Sequence, residues 1–363
     1  MGGNSGAARG PGPARISLRR IGQAGMPKRE RDMDWLGSGA RRLFGAALLA
    51  AALAGCTTPK APVAVTPPPP PVEALPAPPP AAPPPALPTA AQWTRLDPLT
   101  VQDADFARRR AAAQWKGLRV EETRFVENGF AWHFFRITNE ANPGGYFWAV
   151  PHDDENAGFA AALAGVRTRG GIAMIVDTTP GEESRDNRMN VSIDGTRKVD
   201  PNRNFGADSP LFAQRFLDVP DLGSRFVLSL HTNEAGYDRS QSRCARPGDS
   251  GKGTISVHFC SSILQPFPSA KRAYPSDDDD TLVLVPVRMG TPFPKCSESL
   301  RAADVNVVVE QVWYSDGSLS NHLLRVHPRI RYATLETAHE LPGDDGARRR
   351  LTTLADKTIE ICG

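Results

Sequence analysis

The chain has 363 residues, which is enough for one large domain or two small ones. Its 43 basic and 40 acidic residues leave a net charge of +3, so charge alone gives no argument for a nucleic-acid partner, and none is expected. The 34 prolines are clustered rather than spread, which indicates a linker.

The N-terminal part has the order of features of an export signal. Arg41 and Arg42 precede a short apolar stretch, residues 43–52, whereas a membrane-spanning helix needs about 20 apolar residues. The following tetrapeptide, Leu53-Ala54-Gly55-Cys56, resembles the lipobox of bacterial lipoproteins, which implies that Cys56 is lipidated and begins the mature chain. An uncleaved anchor or an ordinary signal peptide is the alternative.

Residues 1–55 are therefore predicted to be an upstream extension and a signal peptide, with Met26 or Met33 as the true start. The segment 56–92 is predicted to be a tether, because its Pro, Ala and Val residues favour polyproline II at about 3.1 Å per residue. By resemblance to lipoproteins, Thr57 is not the aspartate that retains a lipoprotein at the inner membrane. The expected location is thus the periplasmic face of the outer membrane, with the lipid anchor as the membrane attachment.

Four further cysteines would face an oxidising compartment and could form two disulfides. Three pairings are open. Cys244 with Cys260 is the local choice, and Cys296 would then pair with Cys362. A cysteine zinc site is the alternative, but no C-x-x-C spacing supports it.

Residues 93–363 have the composition of a folded domain, and the predicted elements alternate between strands and helices. An Asn128-Gly129 turn signal predicts a β-hairpin between two strands. The predicted strands are 120–126, 130–137, 146–150, 170–176, 226–230, 281–285 and 332–335, and the predicted helices are 104–115, one starting at Phe159, 302–312 and 346–361. Continuous apolar strands alternating with helices indicate an α/β domain with a mostly buried sheet.

Residues able to carry metal chemistry follow or end these strands. His152 and Glu155 follow one strand and His231 ends another; two imidazoles and a carboxylate are the ligand types of a catalytic zinc. Glu336 offers a carboxylate as a general base, in competition with Glu340. These groups should meet at the carboxyl edge of the sheet.

The ordered motifs H-x-x-E, D-x-N-R-N-F, L-H-T-N and a strand ending in Glu, within residues 140–345, resemble the zinc carboxypeptidase superfamily. That superfamily also contains the aspartoacylase and succinylglutamate desuccinylase deacylases. The resemblance implies a three-layer α/β/α fold with a mixed central sheet. The 76 positions from Glu155 to His231 (231 minus 155) are closer to the spacing of the deacylase branch than to that of the digestive carboxypeptidases.

The resemblance also implies a role for each motif. His152, Glu155 and His231 would bind Zn²⁺, and Glu336 would activate water and protonate the leaving amine. Asn202 and Arg203 would hold a substrate carboxylate or polarise the scissile carbonyl. A further arginine would stabilise the oxyanion, with Arg197 as first choice and Arg188 as second. The expected substrate is a peptide or an acyl-amino acid, and the predicted compartment suggests a peptidoglycan stem peptide.

Two other functions remain open. The segment Pro151-His152-Asp153-Asp154-Glu155 is similar to the A-H-P-D-D-E signature of zinc N-deacetylases, although the proline between His and the aspartates is missing. In such an enzyme an aspartate would bind the metal instead of Glu155. The second alternative is a non-catalytic wall-associated lipoprotein, which would have an incomplete metal site or a blocked cleft.

Overall fold

The computed structural model describes residues 92–233, 255, 264–339 and 345–363. The predicted signal, Cys56 and tether, as well as Cys244, Cys260 and Glu340, lie outside these residues. Within the described part of the chain, no helix is long and apolar enough to cross a membrane.

The described residues contain twelve strands and six α-helices. The strands are β1 (Thr94–Leu96), β2 (Leu118–Glu127), β3 (Phe130–Asn139), β4 (Tyr146–Val150), β5 (Ile172–Asp177), β6 (Asn190–Val191), β7 (Lys198–Val199), β8 (Phe226–Asn233), β9 (Leu264–Phe267), β10 (Leu282–Arg288), β11 (Val307–Val312) and β12 (Arg331–Ala338). The helices are α1 (Ala104–Ala107), α2 (Asn156–Arg169), α3 (Pro210–Phe216), α4 (Lys295–Ala302), α5 (Leu319–Val326) and α6 (Asp345–Cys362). Short 3-10 turns occur at Ala112–Gln114, Pro201–Arg203 and Leu222–Ser224.

Ten strands form one mixed sheet in the order β1-β2-β3-β5-β4-β8-β12-β10-β11-β9. The four central strands β5, β4, β8 and β12 are parallel, and β10 is antiparallel to β12. Parallel strands have their carboxyl ends at one edge, so β4, β8 and β12 deliver the residues that follow or end them to the same place.

The sheet is buried on both faces. Alternate residues of β4 point in opposite directions, so Phe147 packs in one apolar cluster with α3 and α5, and Trp148 packs in another with α2, α4 and α6. Both side chains are almost fully buried, at 0% and 1% exposure. The predicted α/β class and the three-layer arrangement with a mixed, mostly buried sheet are therefore confirmed.

The predicted hairpin is also confirmed. Glu127 pairs with Phe130 across a two-residue turn. Asn128 and Gly129 have φ angles of 55° and 82°, the left-handed values that a type I′ turn requires.

Two helix predictions were wrong, one in type and one in extent. Residues 302–312 form the end of α4 and then β11, because the run Val307-Val308-Val309 suits a buried strand that is hydrogen-bonded to both β10 and β9. Residues 104–115 form one turn of α1 and a 3-10 turn, since the carbonyl of Arg109 accepts a hydrogen bond from the Trp115 indole instead of continuing a helix.

A disulfide joins Cys296 of α4 to Cys362 of α6. This is one of the pairings that the sequence left open. It closes a loop of 66 positions and ties the last helix to the body of the fold.

Candidate metal centre and cleft

The strand register places His231 and Glu336 side by side. His231 of β8 is the direct neighbour of Glu336 in the parallel strand β12. Because neighbouring residues in register point to the same face of a sheet, both side chains lie on one side. The strand register thus places the His231 imidazole and the Glu336 carboxylate in one site.

His152 and Glu155 reach the same place through a turn after β4. The turn leads directly into α2, with Glu155 as the residue before its first turn. Gly158 in that first turn lies against the carbonyl of Leu230, which an added Cβ would approach to 3.1 Å. The missing side chain therefore allows the start of α2 to pack closely on β8, next to His231.

These three side chains converge. His152 Nδ1 is 2.9 Å from Glu155 Oε1, His231 Nδ1 is 3.1 Å from Glu155 Oε2, and the two Nδ1 atoms are 3.2 Å apart. All three residues are at most 3% exposed. The structure therefore brings together the predicted ligand set, with one donor atom from each residue within 4.8 Å of the others.

The outer nitrogens of both histidines are held by other side chains. His152 Nε2 is 2.8 Å from Asp200 Oδ1, and His231 Nε2 is 2.9 Å from Ser229 Oγ. A carboxylate on the outer nitrogen orients a ligand imidazole and makes it more basic. Asp200 was not assigned a role from the sequence, although it is the first residue of the D-x-N-R motif, and that position was the available signal.

The surroundings of His152 and Glu155 favour the charged form of both groups. Burial alone would lower the pKa of His152, but Glu155 and Asp200 outweigh burial and raise that pKa to about 9. Burial would raise the pKa of Glu155, yet His152 and His231 hold it well below its usual range. The Glu155 carboxylate is thus a buried negative charge that neighbouring positive charge stabilises.

Two imidazole nitrogens and a carboxylate oxygen form a donor set that suits zinc. Two observations favour a cation between them: the Nδ1 atoms of His152 and His231 face each other at 3.2 Å, and the buried Glu155 Oε2, although 3.1 Å from His231 Nδ1, has no partner in hydrogen-bonding geometry. These residues fit a zinc ion with three protein ligands and an open position.

Asp153 points away from this cluster. Its Oδ2 accepts hydrogen bonds from the Thr178 amide and hydroxyl, at 3.1 and 2.9 Å, and from the Thr179 hydroxyl at 3.0 Å. Its carboxylate belongs instead to a buried group with Asp103 and Asp177. The aspartate ligand that an N-deacetylase of the H-P-D-D-E type would use is therefore not supplied by Asp153.

A cleft of about 650 Å³ opens over the cluster. Its lining residues are His152, Asp154, Glu155, Arg188, Asn202, Arg203, His231, Thr232, Asn233, Glu336 and His339. The cleft therefore contains the whole predicted site except Arg197. Burial raises the pKa of Glu336, and the nearby Glu155 adds to that rise, while His231 opposes it.

Arg197, the first choice for an oxyanion-stabilising arginine, lies elsewhere and requires a correction. Its Nη2 donates to the carbonyl of Asn128 at 2.6 Å, and its guanidinium lies over the ring of Phe130. Arg188, the second choice, has its Nη1 2.7 Å from Glu155 Oε1. Proximity to D-x-N-R in sequence favoured Arg197, but the β6–β7 hairpin carries that residue away from the cleft.

His339 is a cleft residue that sequence analysis left without a role. Its Nδ1 is 3.0 Å from the Thr232 hydroxyl, and its backbone amide donates to the carbonyl of Asn233. Its position three residues after Glu336 was the only signal.

No family model and no curated protein matches this sequence. Solved structures similar to the chain include a candidate metallopeptidase from Shewanella denitrificans OS217, with TM-score 0.37, 12% identity, and coverage of 75% of this chain and 96% of that chain. A candidate metallopeptidase from Shewanella amazonensis SB2B has TM-score 0.37 and 12% identity, and covers 72% of this chain and 94% of its own. Succinylglutamate desuccinylase from Chromobacterium violaceum has TM-score 0.35 and 12% identity, with coverage of 65% and 68%. Scores this low carry no functional conclusion.

Proposed function

We propose that this protein is a zinc-dependent hydrolase that cleaves an amide or peptide bond next to a free carboxylate. The observation that carries the proposal is the convergence of His152, Glu155 and His231 beneath a cleft that also contains Glu336 and two arginines. A zinc ion bound there would lower the pKa of a coordinated water to about 7 and polarise the scissile carbonyl.

The chain itself would supply proton transfer and charge stabilisation. Glu336 is the general base and then the acid for the leaving amine; burial raises its pKa, which makes its carboxylate a stronger base toward water. Arg188 borders the cleft with a half-exposed side chain, so its free N–H groups can face a developing oxyanion. Arg203 would bind the substrate carboxylate through its planar fork.

The substrate class is proposed from the combination of cleft and compartment. A lipid anchor at Cys56 and a long proline-rich tether would place the domain in the periplasm, within reach of peptidoglycan. Stem peptides of peptidoglycan contain amide bonds next to free carboxylates, so we propose them as the substrate. An acyl-amino acid is the smaller alternative of the same chemistry.

The alternatives fit the observed geometry less well. An N-deacetylase would need an aspartate ligand, whereas Asp153 is engaged by Thr178 and Thr179 and the convergent group of donors has Glu155 as its carboxylate, not Asp154. A non-catalytic protein would have an incomplete ligand set or a blocked cleft, whereas the ligand set and cleft described above are both present.

The direct test is digestion of purified muropeptides by the full protein, followed by mass analysis. We expect loss of a C-terminal or acyl group from the stem peptide, abolished by a chelator and restored by zinc. Glu336→Gln should retain zinc and lose turnover by a factor of about 10² or more. Unchanged muropeptides would reject the wall substrate, and a fully active Glu336→Gln variant would reject Glu336 as the base.

A further inference from the structure

A four-residue segment that leads into α5 and includes its first residue, Asp316–Leu319, packs against the predicted substrate-binding pair Asn202–Arg203. The two segments are more than 110 positions apart in sequence: the amide of Leu319 donates to Asn202 Oδ1 at 3.0 Å, with a separation of 117. This contact holds the Asn202 side chain by a main-chain group of the fold, not by a mobile side chain.

The middle of the segment fits closely around the backbone of Arg203. Gly317 has a φ angle of 82°, and a Cβ atom there would lie 2.3 Å from the carbonyl oxygen of Arg203. The carbonyl of Gly317 in turn accepts a hydrogen bond of 2.8 Å from the amide of Phe205. Only glycine permits both this approach and this conformation without displacement of the Arg203 backbone.

The carboxylate of Asp316 is itself fixed. Its Oδ1 accepts hydrogen bonds from the amide of Ser318 at 2.9 Å and from Asn321 Nδ2 at 2.7 Å. Ser318 and Asn321 are buried, at 5% and 4% exposure. The other oxygen, Oδ2, is 3.5 Å from Arg203 Nε. Asp316 is therefore an anchored anion that faces one edge of the guanidinium.

These contacts leave most of the Arg203 guanidinium available to a ligand. Arginine has five N–H donors. Nε faces Asp316, and Nη1 donates to the Asn202 carbonyl at 2.9 Å, so three donors remain on the terminal nitrogens. The Arg203 side chain is 51% exposed and lines the cleft, which makes the remaining donors accessible.

We propose that Asp316–Leu319 is a positioning element that holds Asn202 and Arg203 in the orientation that selects a free carboxylate. Asp316 is a positioning residue, because it acts through Arg203, and Gly317 sets the distance between the two segments. This inference rests on the proposed function for the identity of the ligand. The opposing hypothesis is that Asp316 competes with the substrate carboxylate for Arg203, which predicts tighter binding when its charge is removed.

The test compares two small probes that differ only in the carboxylate: N-acetylglycine and N-acetylglycinamide. Both are achiral, so the unknown stereochemical preference of the cleft does not enter. Dissociation constants would be measured by calorimetry or NMR titration on the full, zinc-loaded protein, together with zinc affinity and melting temperature. Because N-acetylglycine is itself an acyl-amino acid, every protein is also measured in the Glu336→Gln background, so the result does not depend on hydrolysis.

Four variants distinguish an effect on the position of Arg203 from backbone strain. Gly317→Ala should weaken N-acetylglycine binding by about tenfold or more, since small displacements of a binding group are costly. Gly290→Ala is the matched control, because Gly290 has a φ of 78° but nothing lies within 4 Å of an added Cβ. Asp316→Asn should weaken N-acetylglycine by about two- to fivefold, the range of an exposed ion pair, and leave N-acetylglycinamide unchanged. Asp316→Glu, which keeps the charge, should retain part of the binding that Asp316→Asn loses.

The inference is supported if Asp316→Asn lowers only carboxylate binding while zinc affinity is unchanged. It is overturned if the wild-type protein binds both probes equally, or if removal of the Asp316 charge tightens N-acetylglycine. Should Gly317→Ala fail to fold, the Asp316 variants decide. Absence of hydrolysis by a wild-type protein that still prefers N-acetylglycine would reject the proposed reaction and leave the positioning role standing.

Discussion

Removal of the Glu155 charge should abolish the stabilisation of this protein by zinc. A ligand that binds only the folded state at 100 times its dissociation constant adds about 2.7 kcal/mol to the free energy of unfolding. For a domain of this size about 1 kcal/mol raises the melting temperature by roughly 2–4 °C. We therefore expect zinc to raise the wild-type melting temperature by roughly 5–11 °C.

The structure makes Glu155→Gln a sharp perturbation. Glutamine keeps the shape but loses the charge that both histidines and Arg188 face at 2.7 to 3.1 Å. The variant should therefore lose the zinc-dependent shift at the same zinc concentration. It should also melt lower than the wild type in a chelator, because a buried charge network that loses one partner is strongly destabilised, by about 3–5 kcal/mol.

Glu336→Gln is the matched control for this measurement. It makes the same chemical change in the same cleft but outside the ligand set. It should keep the full zinc-dependent shift while losing turnover. The assay is differential scanning calorimetry of the full protein in zinc buffer and in chelator. An undiminished shift in Glu155→Gln would place zinc elsewhere and refute the proposed ligand set.

Three further predictions follow from particular contacts. Arg188→Met should lower kcat by about 10²–10³ if this side chain stabilises the oxyanion, whereas Arg197→Met should leave kcat unchanged; steady-state kinetics of the two decide between them. Asp200→Asn should weaken zinc binding about 10- to 100-fold, because the Asp200 carboxylate orients the His152 imidazole. A competition titration with a zinc chelator measures this loss. Burial raises the pKa of Asp105 to about 8, against the opposing effect of Arg109, so the folded state takes up a proton and stability is lost as the pH rises from about 4 through 8. The melting temperature should thus fall between about pH 4 and 8, and fall less in Asp105→Asn; equal slopes would contradict the assignment.

Local features of the chain were sufficient for much of the fold. The Asn128-Gly129 turn was predictable because only a few residues adopt left-handed φ angles, and a two-residue turn needs two of them in succession. Continuous apolar runs predicted the buried parallel strands because both faces of those strands contact helices. The helix prediction for residues 302–312 was wrong because Ala and Val at that spacing suit a helix as well as a strand. Only the pairing of residues 307–312 with β9 and β10 decides in favour of a strand.

Some features of the candidate site also follow from the sequence, and others only from the tertiary structure. The sequence by itself determined the chemical types, two imidazoles and a carboxylate next to strand ends, because ligand chemistry depends on residue type and strand ends of a parallel sheet share an edge. Only the tertiary structure placed Arg188 rather than Arg197 at the cleft, paired Asp200 with His152, and brought Asp316–Leu319 against Arg203. Those contacts join segments whose separation along the chain carries no distance information, so they depend on how loops cross the sheet edge after the strands have paired.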